Sequence, residues 1–182
     1  MGVRGDVRIS AKNIDAKTLA VSSDLNLLAR TVHYTGSVQN SGPMPPAANK
    51  ETTYALEWKI SNTRNRVSGA TVTTTLPTYV SWKNVVLPAS EAANVTYNEV
   101  TRQLIWNVGD VPAGTASRIL SMKVGITPSI QQVGSSPNLT GSVVLTGKDA
   151  FTGQDLTITK LPLNTRLLND GTGAGMDGVI VR

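Results

Sequence analysis

An all-β antiparallel sandwich is the fold class this sequence predicts, and three observations predict it. Large apolar residues recur with a period of two. Proline and glycine interrupt that recurrence at short intervals. Between the interruptions no segment carries the 3.6-residue period of an amphipathic helix, which argues against a doubly wound sheet.

In chain order, the first clear strand contains Tyr54, Leu56, Trp58 and Ile60 at every second position, with Thr53, Ala55, Glu57 and Lys59 between them expected to face water. Residues 71–76, 141–146 and 156–159 are rich in Thr, Val and other strand formers, whose β-branched side chains suit a pleated surface. The alternation returns in Leu104, Trp106 and Val108, and again in Leu120, Met122, Val124 and Ile126, interleaved with Ser121, Lys123 and Gly125. Pro77, Pro88, Pro112, Pro128 and Pro137 lack a backbone donor, and Gly69, Gly109, Gly114, Gly134 and Gly153 supply permissive backbone at turns. The expected core is Leu56, Trp58, Val72, Leu76, Leu104, Trp106, Leu120, Met122 and Val124, each in phase with the apolar face of its strand.

Two segments lie outside this rhythm. Asn40 to Pro46 holds Pro43, Pro45 and Pro46, which favour a stiff, extended connection, expected to cross between the two sheets. Residues 169–182 begin with a run of Gly, Asp and Thr that has little to bury, and they are expected to form a flexible tail.

The two ends of the chain also echo one another. Gly5-Asp-Val-Arg-Ile-Ser-Ala-Lys-Asn13 can be laid over Gly141-Ser-Val-Val-Leu-Thr-Gly-Lys-Asp149, and with one residue skipped Leu19, Val21 and Ser22 fall on Leu156, Ile158 and Thr159. Residues 1–23 are therefore read as the last hairpin of a preceding, similar module, and residues 24–168 as the sandwich itself. The competing reading makes residues 1–23 integral strands of one larger sandwich.

Composition narrows the functional classes. With 16% charged and 40% apolar residues the chain is neither disordered by charge nor membrane-spanning, since no apolar run approaches the roughly 20 residues a bilayer needs. Its net charge of +5 comes from basic residues spread singly along the chain, among them Lys59, Lys83, Arg102, Arg118, Lys123 and Lys148. The one close pair, Arg64 with Arg66, has no neighbouring aromatics, so nucleic acid is not an expected partner. Cysteine is absent, which removes disulfides, thiolate nucleophiles and zinc-thiolate sites. Met1 and Gly2 do not open a secretory signal, so an exported form would be a piece of a longer precursor.

Residues 52–127 carry four motifs in order. They are a strand ending in Asn (Thr53-Tyr-Ala-Leu-Glu-Trp-Lys-Ile-Ser-Asn62) and a strand ending in Leu-Pro (Val67-Ser-Gly-Ala-Thr-Val-Thr-Thr-Thr-Leu-Pro77). A Trp-Asn-x-Gly strand end (Leu104-Ile-Trp-Asn-Val-Gly109) and a Pro-x-Gly turn (Pro112-Ala-Gly114) follow. Together with Val95-Thr-Tyr-Asn98, this pattern resembles the conserved repeat domain of bacterial and archaeal cell-surface proteins catalogued as domain of unknown function eleven. The flanks, Val32 to Pro46 and Gly147 to Gly153, resemble a longer variant from surface proteins of candidate-phylum bacteria. The resemblance implies an immunoglobulin-like sandwich, export and repetition. It implies no catalytic, cofactor or metal residues, and its expected partners are neighbouring modules of the same parent protein or a surface glycan or protein.

His33, the only histidine, is expected in a strand between Val32 and Tyr34, and without Cys any nucleophile-base pair reduces to Ser or Thr with this one ring. Asp110, Asp149 and Asp155 are the carboxylates available for calcium at loop ends, but the Asp-x-Asp-x-Asp loop is missing and Asp149 is expected to cap the turn to Gly153. Gly173-Ala-Gly-Met-Asp-Gly178 fits a dinucleotide fingerprint in form only, with four residues left after it for a helix that needs many more. Arg4-Gly5-Asp6 and the sequons at Asn94 and Asn138 carry no weight. Trp58 and Trp106 are expected in the core, while the exposure of Trp82, near Tyr79, decides whether a sugar-stacking surface exists. The sequence therefore points to a non-catalytic spacer or display module at the cell surface, with an adhesin or carbohydrate-binding module as the alternative and a hydrolase built on His33 as a third.

Overall fold

The computed structural model describes residues 22–168, 170–171 and 178–182. Nine strands are present among them: β1 Leu25–Val32, β2 Thr52–Asn62, β3 Val67–Thr75, β4 Val80–Leu87, β5 Val95–Asn98, β6 Gln103–Val111, β7 Thr115–Ile126, β8 Val143–Asp149 and β9 Asp155–Lys160. One sheet has the order β1-β2-β7-β4 and the other β5-β6-β3-β8-β9, with every strand pair antiparallel. Among the described residues helix is limited to two 3-10 segments, Ala89–Asn94 and Ile130–Gln132, as the absence of a 3.6-residue period requires.

The connectivity is that of an immunoglobulin-type sandwich. Taking β1, β2, β3, β4, β7, β8 and β9 as strands A to G reproduces the ABED and CFG sheets of the seven-strand arrangement. What is added is the β5–β6 hairpin, inserted between the fourth and fifth of these strands and paired to the free side of β3.

All nine residues expected in the core are buried, and they pack with Leu27, Tyr54, Ile60, Val67, Val143 and Leu145 between the sheets. Each such apolar side chain contributes about 1.5–3 kcal/mol by leaving water. The expectation for β2 needs correction: Thr53, Ala55 and Glu57 are buried rather than solvent-facing. The reason is tertiary. The segment between β1 and β2 folds over the outer face of this sheet, where Val32, Val38 and Ala55 form a second small core against Leu87. Glu57 is buried with a partner, Arg30, whose Nε donates to Oε1 at 2.7 Å.

The proline-rich segment also differs from expectation. It does not cross between sheets, because β1 and β2 are neighbours in one sheet. Instead it lies along the start of β2, with Thr53 N donating to Ser41 O at 2.8 Å and Thr52 Oγ1 to Pro43 O at 3.0 Å.

The described residues of the expected tail are packed, not free. Asp170, Gly178 and Ile180 are buried. Val181 N donates to Pro46 O at 2.9 Å, Ala48 N to Val181 O at 2.8 Å, and Ile180 N to Ser135 O at 2.9 Å. The Gly-rich composition supplies little to bury, but Ile180 and two lines of backbone hydrogen bonds suffice to dock the segment. The residues read as the hairpin of a preceding module lie outside the described ones except Ser22 and Ser23.

These contacts place the two ends of the described chain at opposite poles. At the first pole, Ser23 lies beside the β2–β3 turn and the end of β8 through Asn65 O and Asp149. At the second, residues 178–182 lie beside the segments that precede β2 and follow β7. Asn62, the motif residue that ends β2, is fully buried at the first pole, where its Nδ2 donates to Asn65 O at 2.7 Å and lies 3.2 Å from Val111 O.

Candidate functional site

The titratable residues singled out in the sequence are separated, and His33, Asp110 and Asp149 each have partners of their own. His33 lies just past β1, not within it, because the backbone there turns to meet Asp170. Amides of His33, Tyr34 and Thr35 donate to the Asp170 carboxylate at 2.6, 2.8 and 2.9 Å, and the Thr35 hydroxyl donates to it as well. Burial alone would raise the Asp170 pKa, but these hydrogen bonds outweigh it and hold the group below the ordinary carboxylate range. The His33 ring places Nδ1 2.8 Å from Thr53 O and packs edge-on to Tyr34 and Tyr54. Among the described residues, the ring's hydrogen-bond partner is thus a backbone carbonyl rather than a Ser hydroxyl, and its ring contacts are to tyrosines.

The three calcium candidates are not assembled either. Asp110 is exposed and pairs with Arg66 at 3.0 Å, and Asp155 is exposed at the start of β9. Asp149 caps its turn as the sequence predicts, Oδ1 accepting from the amides of Phe151 and Thr152 at 2.8 Å each. Its Oδ2 accepts from Ser23 N at 2.6 Å, Ser23 Oγ at 2.8 Å and Asn65 Nδ2 at 3.1 Å. Although burial works against the charged form, this full set of donors keeps Asp149 well below the usual carboxylate range. Among the described residues no group of three or more His, Cys, Asp or Glu side chains converges. The Arg4-Gly5-Asp6 tripeptide and the glycine fingerprint up to residue 177 lie outside the described residues.

Of the three tryptophans, Trp58 and Trp106 are fully buried, which removes them from any sugar-stacking surface. Trp106 belongs to a buried polar cluster that the sequence did not reveal. Its Nε1 donates to Glu91 Oε2 at 3.0 Å, and Arg118 grips the same carboxylate with Nε at 2.7 Å and a second guanidinium nitrogen at 2.9 Å. Asn94, a sequon residue, also donates to Glu91 at 3.0 Å. The Arg118 hydrogen bonds prevail over burial and, with those of Asn94 and Trp106, lower the Glu91 pKa to about 2. The only sequence signal for this cluster was a core indole that needed an acceptor.

Trp82 is half-buried, and its ring partner is Tyr97, 5.8 Å away and tilted by 32°, rather than Tyr79. The inserted hairpin creates this pairing. Trp82 is on β4, the edge of one sheet, and Tyr97 on β5, the edge of the other, so the two rings face each other across the open side of the sandwich. The β4–β7 register shifts between Trp82 and Val86, and Asn84 within that bulge has a left-handed φ of 52°. Such a bulge bends the strand and re-aims its side chains. Lys83 is held by Glu51 at 2.5 Å, above Gly125, where a Cβ would be in conflict with both side chains.

Two adjoining clefts open beside the rings. One of about 600 Å³ is lined by Trp82, Asn84, Val86, Val95, Tyr97 and Glu99. The second, of about 370 Å³, shares Trp82, Tyr97 and Glu99 and is also lined by Val80, Ser81 and Arg102. The β5–β6 turn that carries Glu99 is fixed: Asn98 Oδ1 accepts from the amides of Val100 and Thr101 at 2.9 Å each. Arg102 spans back to β3 and β4, donating to Leu76 O at 2.9 Å, to Pro77 O at 2.7 Å and to Val80 O.

No family model matches the chain, and no curated protein matches it. Among solved structures, the major pilin subunit of Bacillus cereus is similar with a TM-score of 0.47 and 9% identity, over 78% of this chain and 40% of that one. The full-length major pilin SpaD from Corynebacterium diphtheriae gives 0.47 and 9%, over 76% and 34%. The Fcho1 Mu homology domain of Danio rerio gives 0.40 and 13%, over 77% and 50%. The chain thus spans half or less of each of these proteins.

Proposed function

We propose that this chain is a non-catalytic structural module of an exported bacterial surface protein, one that sets distance between the segments it joins. The observation that carries the reading is the placement of the described ends at opposite poles of the sandwich, each tied down by hydrogen bonds. Ser23 is fastened to Asp149 at one pole, and Ile180 and Val181 to Ser135 and Pro46 at the other. A module threaded in this way adds its long dimension to a string of modules, whereas one with adjacent ends would branch off it. The four motifs that resemble those of the surface-protein repeat domain support the same reading and suggest similar modules as its neighbours.

Proteolytic shaving of intact source cells tests the location: it should release peptides from the exposed β5–β6 turn, and their recovery from the cytosolic fraction alone would overturn export. Small-angle scattering of two copies in tandem tests the spacing, with a maximum dimension close to twice that of one copy expected. A side-by-side pair of near-single length would overturn the spacer role.

A further inference from the structure

We propose that the trough between β4 and the inserted β5–β6 hairpin is a binding site for a neutral glycan. Trp82 and Tyr97 take the apolar face of a pyranose ring, and Asn84 and Glu99 take its hydroxyls. This inference goes beyond the spacer reading and does not depend on it.

The chemistry of the trough selects this ligand class. A pyranose has a C–H face that packs on an aromatic ring and a rim of hydroxyls that donate and accept hydrogen bonds. The trough offers both kinds of surface side by side. Among the described residues, the Asn84 amide, the Glu99 carboxylate, the Trp82 indole N–H and the Tyr97 hydroxyl make no hydrogen bond within the chain, although all four side chains line the larger cleft. Anionic ligands are disfavoured. Arg102, which lines the smaller cleft, spends its guanidinium on three backbone carbonyls, and Lys83 on the adjoining strand is paired with Glu51. A divalent cation is disfavoured as well, since among the described residues Glu99 is the only carboxylate lining either cleft.

Shape and rigidity agree. Trp82, Tyr97 and Glu99 line both clefts, so the rings sit in the middle of a trough that runs past them in two directions, a form suited to a chain of sugars. The supports are fixed before any ligand arrives: the Asn98 cap holds the turn bearing Glu99, Arg102 ties the hairpin to β3 and β4, and the bulge at Asn84 sets the edge of β4. Preorganisation of this kind lowers the entropy cost of binding.

Tryptophan fluorescence provides a specific test, because Trp58 and Trp106 are fully buried and acrylamide reaches Trp82 alone. The full chain is titrated with cellopentaose, chitopentaose and mannopentaose at up to about 10 mM, enough to fill a site with a Kd of about 1 mM. At least one should lower the acrylamide quenching constant, and Glu99→Gln should weaken that sugar by about tenfold while keeping the native unfolding midpoint. Glu99 is exposed, so this variant keeps its fold and the comparison stands even if Trp82→Ala does not fold. No effect from any of the three sugars overturns the proposal, as does an equal effect on the native chain and Glu99→Gln. Protection that rises with protein concentration in the absence of sugar, with a dimer in sedimentation, would assign the trough to a second copy and overturn it too.

Discussion

The indole nitrogen of Trp106 donates a 3.0 Å hydrogen bond to Glu91, a carboxylate only 8% exposed. Trp106 is on β6 in the five-stranded sheet, while Arg118, which grips the same carboxylate, is on β7 in the four-stranded sheet. Glu91 thus joins the two layers on the side where the inserted hairpin departs. The Arg118 guanidinium also lies 5.5 Å from the Trp106 ring centroid, within range of a cation–π contact.

Replacing Glu91 with Ala leaves a partly buried guanidinium and a buried indole donor without their acceptor. The expected cost is about 3 kcal/mol, at the low end for a broken buried pair because Arg118 is partly solvated. For a domain of this size that lowers the melting temperature by about 6–12 °C, and calorimetry of the single variant checks it. An unchanged midpoint would mean that the cluster contributes nothing to the fold.

The same carboxylate makes stability depend on acid. With the folded-state pKa of Glu91 lowered to about 2, the unfolded chain takes up the proton first as pH falls. The stabilisation is complete above the unfolded value of about 4.3 and is lost between there and about pH 2. Asp149 and Asp170 are also lowered and act in the same direction. Urea midpoints measured from pH 6 to pH 2 should therefore fall steadily in the native chain and less steeply in Glu91→Gln, with a residual slope from the two aspartates.

Trp106→Ala should be the most destabilising single truncation, since it empties a large site in the core at about 3–5 kcal/mol and also takes from Glu91 one of its donors, leaving it Arg118 and Asn94. Chemical unfolding of this variant beside Trp58→Ala separates the two effects. Both indoles are fully buried, but among the described residues Trp58 Nε1 has no hydrogen-bond partner to lose.

A chain shortened to begin at Asp24 loses the Ser23 hydrogen bonds to Asp149, while the Asp149 cap on Phe151 and Thr152 remains. It should still unfold cooperatively, with a loss of about 1–3 kcal/mol. An insoluble or unfolded product would make residues 1–23 integral strands of a larger sandwich.

Gly178→Ala tests the docking of the C-terminal segment. A Cβ there would run into the backbone of Thr165, whose hydroxyl donates to Gly178 O at 2.6 Å. Hydrogen exchange should speed up at Ile180, Val181 and Gly134, with the amides of β2 and β7 unaffected. Unchanged protection at Ile180 would show that the segment is held elsewhere.

The sequence by itself determined the fold class, the core and the turn at Asp149. Each rests on a short-range pattern: a period of two that sorts residues onto the two faces of a strand, and an Asp whose side chain reaches amides two and three residues on. Only the tertiary structure decided what covers the outer face of β2, where the 3.6-versus-2 logic is silent because burial depends on a segment arriving from elsewhere. The same holds for the docked residues 178–182, for the pairing of Glu91 with Trp106 and Arg118, and for the meeting of Trp82 with Tyr97. Trp82 and Tyr97 meet because an inserted hairpin brings one sheet edge alongside another, and periodicity along a strand carries no information about which strands of two different sheets will face each other.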